Sequence, residues 1–210
     1  CDFGNEVNKS INSQVIKYFK TIKEKKFKGI NNLTPSYNKL IISFDLRQTN
    51  FNEVKKYIEN LDVEASLKIN TKKLEIPVCC AEAFSLDAKR LEKILNLSRE
   101  KILENFLNKE YFCYMTGFIA GMPFLGDLDE NMRAQRLETP RVKVPKGSVG
   151  LTEQFANIYT FESPGGWNIL GNTPVNVFDS SKEDKPNLIN PGDTVIFKEI
   201  TLDQYKNYNE

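Results

Sequence analysis

The chain has 210 residues, a net charge of +1 from 29 Lys and Arg against 28 Asp and Glu, and no histidine. That length suffices for one large domain or two small ones, each with its own core. The balanced charge, without a basic stripe interleaved with aromatics, argues against nucleic acid as a partner, and no apolar run approaches the ~20 residues of a membrane span.

The missing histidine excludes imidazole zinc sites, Ser-His-Asp catalysis and Cys-His catalysis. Acid–base work therefore falls to carboxylates, Lys, Tyr or the bound substrate. The four cysteines, Cys1, Cys79, Cys80 and Cys113, form no CxxC spacing. They read as free thiols of a reducing cytosol, and no metal site is expected. Cys1 reads either as an acylated lipoprotein terminus or as the start of a chain whose earlier residues are absent. The run Cys1-Asp-Phe-Gly-Asn passes straight into folded-looking sequence with no linker, which favours the second reading.

In chain order, Ile11, Val15, Phe19 and Ile22 recur at helical spacing and predict a helix over Asn8–Lys26, ended by Gly29. Lys39–Phe44 reads as a strand with Leu40, Ile42 and Phe44 on one face. Asn50 or Asn52 caps a second helix that turns Val54, Ile58 and Leu61 inward. The polar stretch Asp62–Lys73 carries the domain boundary, giving a small α+β domain over residues 1–73 and a second domain over 74–210. Leu74–Cys80 is a further strand. Two short helices follow, at about Asp87–Leu95 and from the N-cap Ser98 through Ile102, Leu103 and Phe106. Strands are then predicted at Tyr111–Phe118, Lys143–Gly150, Asn157–Phe161, Trp167–Leu170, Val175–Phe178 and Thr194–Ile200, with a polar tail from Lys206. Short strands at this spacing, broken by Pro and Gly turns, predict a barrel.

Four features of this second part carry possible chemistry. Gly117-Phe-Ile-Ala-Gly-Met-Pro-Phe-Leu-Gly126 is either a plain loop or a place of close ligand approach. It is no phosphate loop, because no Gly-Lys-Ser/Thr follows. Arg136 and Arg141, five apart and the second pinned by Pro140, suit bidentate capture of a carboxylate or phosphate; the plainer reading is two exposed arginines. Ser148, after Gly147, offers a hydroxyl and an open N–H, or simply follows a hairpin turn. Glu162-Ser-Pro-Gly-Gly-Trp167 exposes the amides of Gly165 and Gly166 beside Ser163 and the flat wall of Trp167, or else places a core tryptophan after a turn.

Taken in order, these motifs resemble a known family: the B subunit of bacterial 5-oxoprolinase, also called allophanate hydrolase subunit 1, which includes the sporulation kinase inhibitor KipI. The likeness rests on GFxxGxPxLGxLD (Gly117–Asp129), Arg136 with Thr139-Pro-Arg141, VPxGSVG (Val144–Gly150), IYxxESPGGWxxxGxTP (Ile158–Pro174) and Asn190-Pro-Gly-Asp193. It implies an α+β N-terminal domain followed by a cyclophilin-like β-barrel domain in a cytoplasmic protein. It implies a partner C subunit of similar barrel fold and, with an A subunit, an ATP-dependent opening of 5-oxoproline to glutamate, ATP acting at the level of the complex. Arg136 and Arg141 would bind the anionic substrate or phosphoryl intermediate, and Ser148 and the Gly165-Gly166 amides would orient it. The alternative within the family is a regulatory protein that inhibits a histidine kinase.

The chain departs from the family at three places. Phe106 replaces a common histidine. Ala120-Gly-Met122 replaces Pro-Gly-Phe. Glu153-Gln-Phe-Ala-Asn157 replaces a Gly-Gly-Gln-Thr-Gly run, adding bulk and a carboxylate where bare glycines would let a ligand approach.

Overall fold

The structure, a computed structural model, describes residues 1–63, 71–183 and 185–208. It divides into two compact units, Cys1–Thr71 and Lys72–Glu210. Part of the polar stretch that carries the expected boundary, residues 64–70, lies outside the described residues.

In the first unit, helix α1 (Lys9–Lys25) starts where the Asn8 side chain accepts the Ile11 N–H, satisfying an orphan donor of the first turn. It ends at Lys26, which takes the left-handed conformation and returns its N–H to the Ile22 carbonyl, so Gly29 is not the helix stop. Gly29 instead turns the chain at φ +90, where a Cβ would sit 2.7 Å from the Thr49 side chain. Strand β1 (Ile30–Pro35) pairs antiparallel with β2 (Leu40–Phe44). Sequence alone did not predict β1, because Asn31, Asn32 and Pro35 are poor strand formers. Helix α2 (Phe51–Glu59) is capped by Asn50 rather than Asn52. Val15, Ile22 and Leu40 are buried together, with Ile58 and Leu61 packed against them.

The second unit is built on a seven-stranded sheet. Its strands are β3 (Lys73–Val78), β4 (Glu110–Thr116), β5 (Pro123–Gly126), β7 (Ser148–Thr152), β8 (Phe155–Ile158), β10 (Asn168–Asn172) and β11 (Thr194–Glu199), in the order β10-β7-β8-β5-β4-β11-β3. The sheet curls until its two edges touch. Cys79, just past β3, and Asn172, at the end of β10, exchange backbone hydrogen bonds of 2.8 and 3.0 Å. This bridge relieves the liability of an open edge. Helices α3 (Ala88–Leu95) and α4 (Arg99–Leu107) send Leu91, Ile102 and Phe106 into the same core as Val78, Tyr111, Leu125, Val149, Ile158 and Phe197. Ile94 does not join them and is exposed.

Two further strands, β6 (Arg141–Val144) and β9 (Ser163–Gly165), form a separate antiparallel ribbon. Strands β7, β8 and β10 are buried at every position, as strands covered on both faces must be. One face meets the core inside the curled sheet. On the other, Val144 from the ribbon packs with Tyr159, Ile169, Met122 and Trp167.

Several predicted elements shift. The run Lys143–Gly150 is two strands split at the Pro145-Lys-Gly147 turn, and β8 ends at Ile158, where a strand reaching Phe161 was expected. Val175–Phe178 is no strand; only Phe178 makes an isolated bridge, to Asn187. The expected tail begins inside a short helix, α5 (Leu202–Lys206), held by a capping box between Thr201 and Gln204. No described helix is long and apolar enough to cross a membrane.

Candidate functional site

The site lies between the outer face of β8 and β10 and the β6–β9 ribbon. Tyr159 is its hub. The ring is almost wholly buried, and its hydroxyl reaches the ribbon so closely that a Cβ on Gly165 would lie 2.7 Å from the phenol carbon Cζ. Burial pushes the Tyr159 hydroxyl above its ordinary pKa. The Trp167 N–H, Asn157, Arg136 and Arg141 all act in the opposite direction. A phenol set among one backbone donor and two cations is a polar point inside an apolar cluster.

Gly165 thus earns its place through clearance rather than through a bare amide: it sits in the β6–β9 ladder opposite Arg141. Gly166 makes room for Arg136, whose Nε and Nη2 would each be 3.2 Å from a Cβ there. The Gly166 carbonyl accepts the Leu137 N–H at 2.7 Å, tying the segment that carries Arg136 to the turn before Trp167. Arg136 itself is exposed. Trp167 is half-buried and meets Phe124 edge to face, with ring centres 5.6 Å apart. It is both a core residue and a wall of the site.

Arg141 is not a free clamp. Its Nη2 donates to Asp87 Oδ1 at 2.6 Å, and Asp87 is 4% exposed. The other Asp87 oxygen accepts the Ile169 N–H at 2.7 Å. Asp87 therefore ties the start of α3, the ribbon and β10 together. Arg141 Nη1 remains buried without a hydrogen-bond partner.

Ser148 differs from the sequence reading of an open N–H. Ser148 is buried, its N–H is committed to the Pro145 carbonyl at 3.2 Å, and its own carbonyl accepts the Tyr159 N–H. It positions Tyr159 and offers no open amide. The Ser163 hydroxyl, on β9 with Gly165, is buried and unpartnered. Arg136, Arg141, Gly165 and Trp167 are thus brought around Tyr159, with Gly166 beneath Arg136, while Ser163 lies two residues from Gly165 on β9. Sequence reasoning missed Tyr159, Asp87 and Asn157. Tyr159 lay within a quoted motif, and nothing in the local sequence pairs Asp87 with an arginine 54 residues later.

The departures from the family also find their places. Phe106 is in the barrel core, stacked on Phe197 and tilted against Tyr111, away from the Tyr159 cluster. Glu153 is exposed in the β7–β8 turn with φ +47. Phe155 meets Tyr114 and Phe124 edge to face, one ring removed from Trp167. Tyr114, whose hydroxyl donates to Asp127 at 2.9 Å, is raised in pKa by burial and then by that carboxylate.

Comparison with known proteins gives the same placement. Residues 1–189 match the family described as carboxyltransferase domain, subdomain C and D. The chain is 32% identical to the 5-oxoprolinase B subunit of Bacillus subtilis (strain 168) over 220 residues, covering 99% of this chain and 91% of that protein. The crystal structure of TTHA0988 superposes with a TM-score of 0.85 at 29% identity, over 95% of this chain and 39% of the longer TTHA0988 chain. The urea carboxylase of Kluyveromyces lactis, at 18% identity, shares the fold with a TM-score of 0.78 over 98% of this chain and 21% of its own. The chain belongs to the carboxyltransferase subdomain C and D family, within which it is related to the B subunits of 5-oxoprolinase.

Proposed function

We propose that this protein is the B-type subunit of an ATP-dependent 5-oxoprolinase complex, cytoplasmic, whose second unit is a cyclophilin-like barrel. It works with a C subunit and an A subunit, and the complex opens 5-oxoproline to glutamate. The observation that carries this reading is the pairing of two guanidinium groups about one buried phenol: exposed Arg136 over Gly166, and Arg141 with one nitrogen unspent. Such a pair suits a small carboxylate. The chain offers no phosphate loop, so its contribution is to bind and orient the substrate anion, with ATP engaged at the level of the complex.

The test is reconstitution. Purified with its A and C subunits, the wild-type chain supports ATP-dependent release of glutamate from 5-oxoproline. Absence of turnover from an intact three-subunit complex would refute the reading.

A second reading, a regulator of a histidine kinase, draws on the Glu153–Asn157 segment, where bulky and charged side chains replace glycines. Affinity capture that recovers a histidine kinase and neither of the other two subunits would favour it over the enzyme.

A further inference from the structure

Asn157 is wholly buried, yet neither its Oδ1 nor its Nδ2 makes a hydrogen bond. It faces Gly150 across the β7–β8 ladder, on the outer side of the sheet, and lies beside the Tyr159 hydroxyl, toward which it acts as a weak donor outside ordinary hydrogen-bond geometry. The buried Nη1 of Arg141 and the buried hydroxyl of Ser163 are unpartnered as well. Both belong to the ribbon whose Gly165 meets that same hydroxyl. Buried polar atoms are nearly always paired in folded proteins. The Asn157 amide and Arg141 Nη1, both beside one phenol, mark a place that a polar ligand completes.

Their chemistry specifies the ligand more narrowly than charge does. A primary carboxamide presents one acceptor and one donor side by side. A ring amide, held cis, presents its N–H and C=O on one edge and matches that pair with two hydrogen bonds. An open-chain amide is trans, with N–H and C=O on opposite edges, and satisfies only one. We infer that Asn157 is a specificity-determining residue that reads the cis-amide edge of a lactam acid, while Arg141 Nη1 and Arg136 take its carboxylate. This deepens the function proposed above and rests on it for the identity of the site.

The test is calorimetric binding to the whole chain of three acids: L-5-oxoproline, the corresponding lactone with ring oxygen in place of N–H, and open-chain N-acetylglycine. Wild-type binds 5-oxoproline at least about tenfold more tightly than either of the others, the loss expected for one unmade hydrogen bond. Asn157→Leu lowers 5-oxoproline to the level of the lactone and leaves or raises Tm, because an unpaired buried amide is removed. Asn157→Gly serves as the second variant, also losing the preference. Equal binding of all three acids, binding of none, or an undiminished preference in both variants would overturn the inference. Discrimination by the wild-type chain without ATP-dependent turnover by the assembled complex would refute the proposed function and leave the inference standing. Turnover with the preference unchanged in both variants would do the reverse.

Discussion

At the residue scale, the Gly-Gly pair acts through missing atoms. Gly165→Ala forces a methyl into the Tyr159 phenol, and overpacking of this kind costs about 1–3 kcal/mol; a fall in Tm with loss of acid binding checks it, and a variant as stable as wild type would refute the packing account. The cysteines give a second prediction. Burial, then the nearby Glu199 and Cys79, push the Cys80 thiol up to about 12, and burial also raises Cys113. Thiolates are the reactive form, and only Cys1 is exposed. Titration of the native chain with a thiol reagent at about pH 8, just below the ordinary thiol pKa, therefore finds one fast thiol, with the others appearing on unfolding. The motif residues around Gly165 were legible in the sequence because glycine and proline mark special backbone. Tyr159, Asn157 and Asp87 were not, because their roles come from what distant strands bring against them.

At the element scale, the β6–β9 ribbon is what turns the outer face of a barrel into a site. Its anchor is the Asp87–Arg141 pair. Removing the guanidinium leaves a buried carboxylate without its cation. Loss of one partner from a fully buried pair costs ~3–5 kcal/mol; Arg141 is about a quarter exposed, so Arg141→Ala is expected to cost about 1–3 kcal/mol after solvent screening. A double-mutant cycle with Asp87→Asn in denaturant melts measures the coupling, and additive single effects would show that the two side chains act independently. Most strands of the curled sheet were legible from short apolar runs and turn residues; β5 was not, because it lies in the glycine-rich Gly117–Gly126 run. The ribbon was not, because β6 and β9 are short and Pro164 lies inside one. Nor was the break at Val175–Phe178 visible, since that run looks like a strand by composition and makes only the isolated Phe178 bridge. The helices were read more closely, their caps Asn8, Asn50 and Ser98 being local side-chain to backbone bonds.

At the scale of the whole molecule, the two units have separate cores and separate sensitivities. In the first, hydrogen bonds from Arg47 and Gln48 hold the largely covered Asp45 carboxylate down to about 2. A depressed carboxylate adds stability that is full above its unfolded value and disappears as the pH falls through the folded one. The first unit should therefore lose part of its stability between about pH 4 and pH 2, and Asp45→Asn should flatten that portion of its acid-denaturation curve. The second unit holds the barrel and the site, and its order of strands could not be read from sequence, because β3 pairs in parallel with β11 at the far end of the chain. Under the proposed function, Arg136, exposed over Gly166, and Arg141 bind the substrate carboxylate at that site. The most direct measurement is ATP-dependent glutamate release by the three-subunit complex carrying Arg136→Ala. The proposed function predicts a rise in KM for 5-oxoproline of about tenfold or more with the complex intact, the loss of one charge-assisted contact; unchanged KM and kcat in that complex would contradict it.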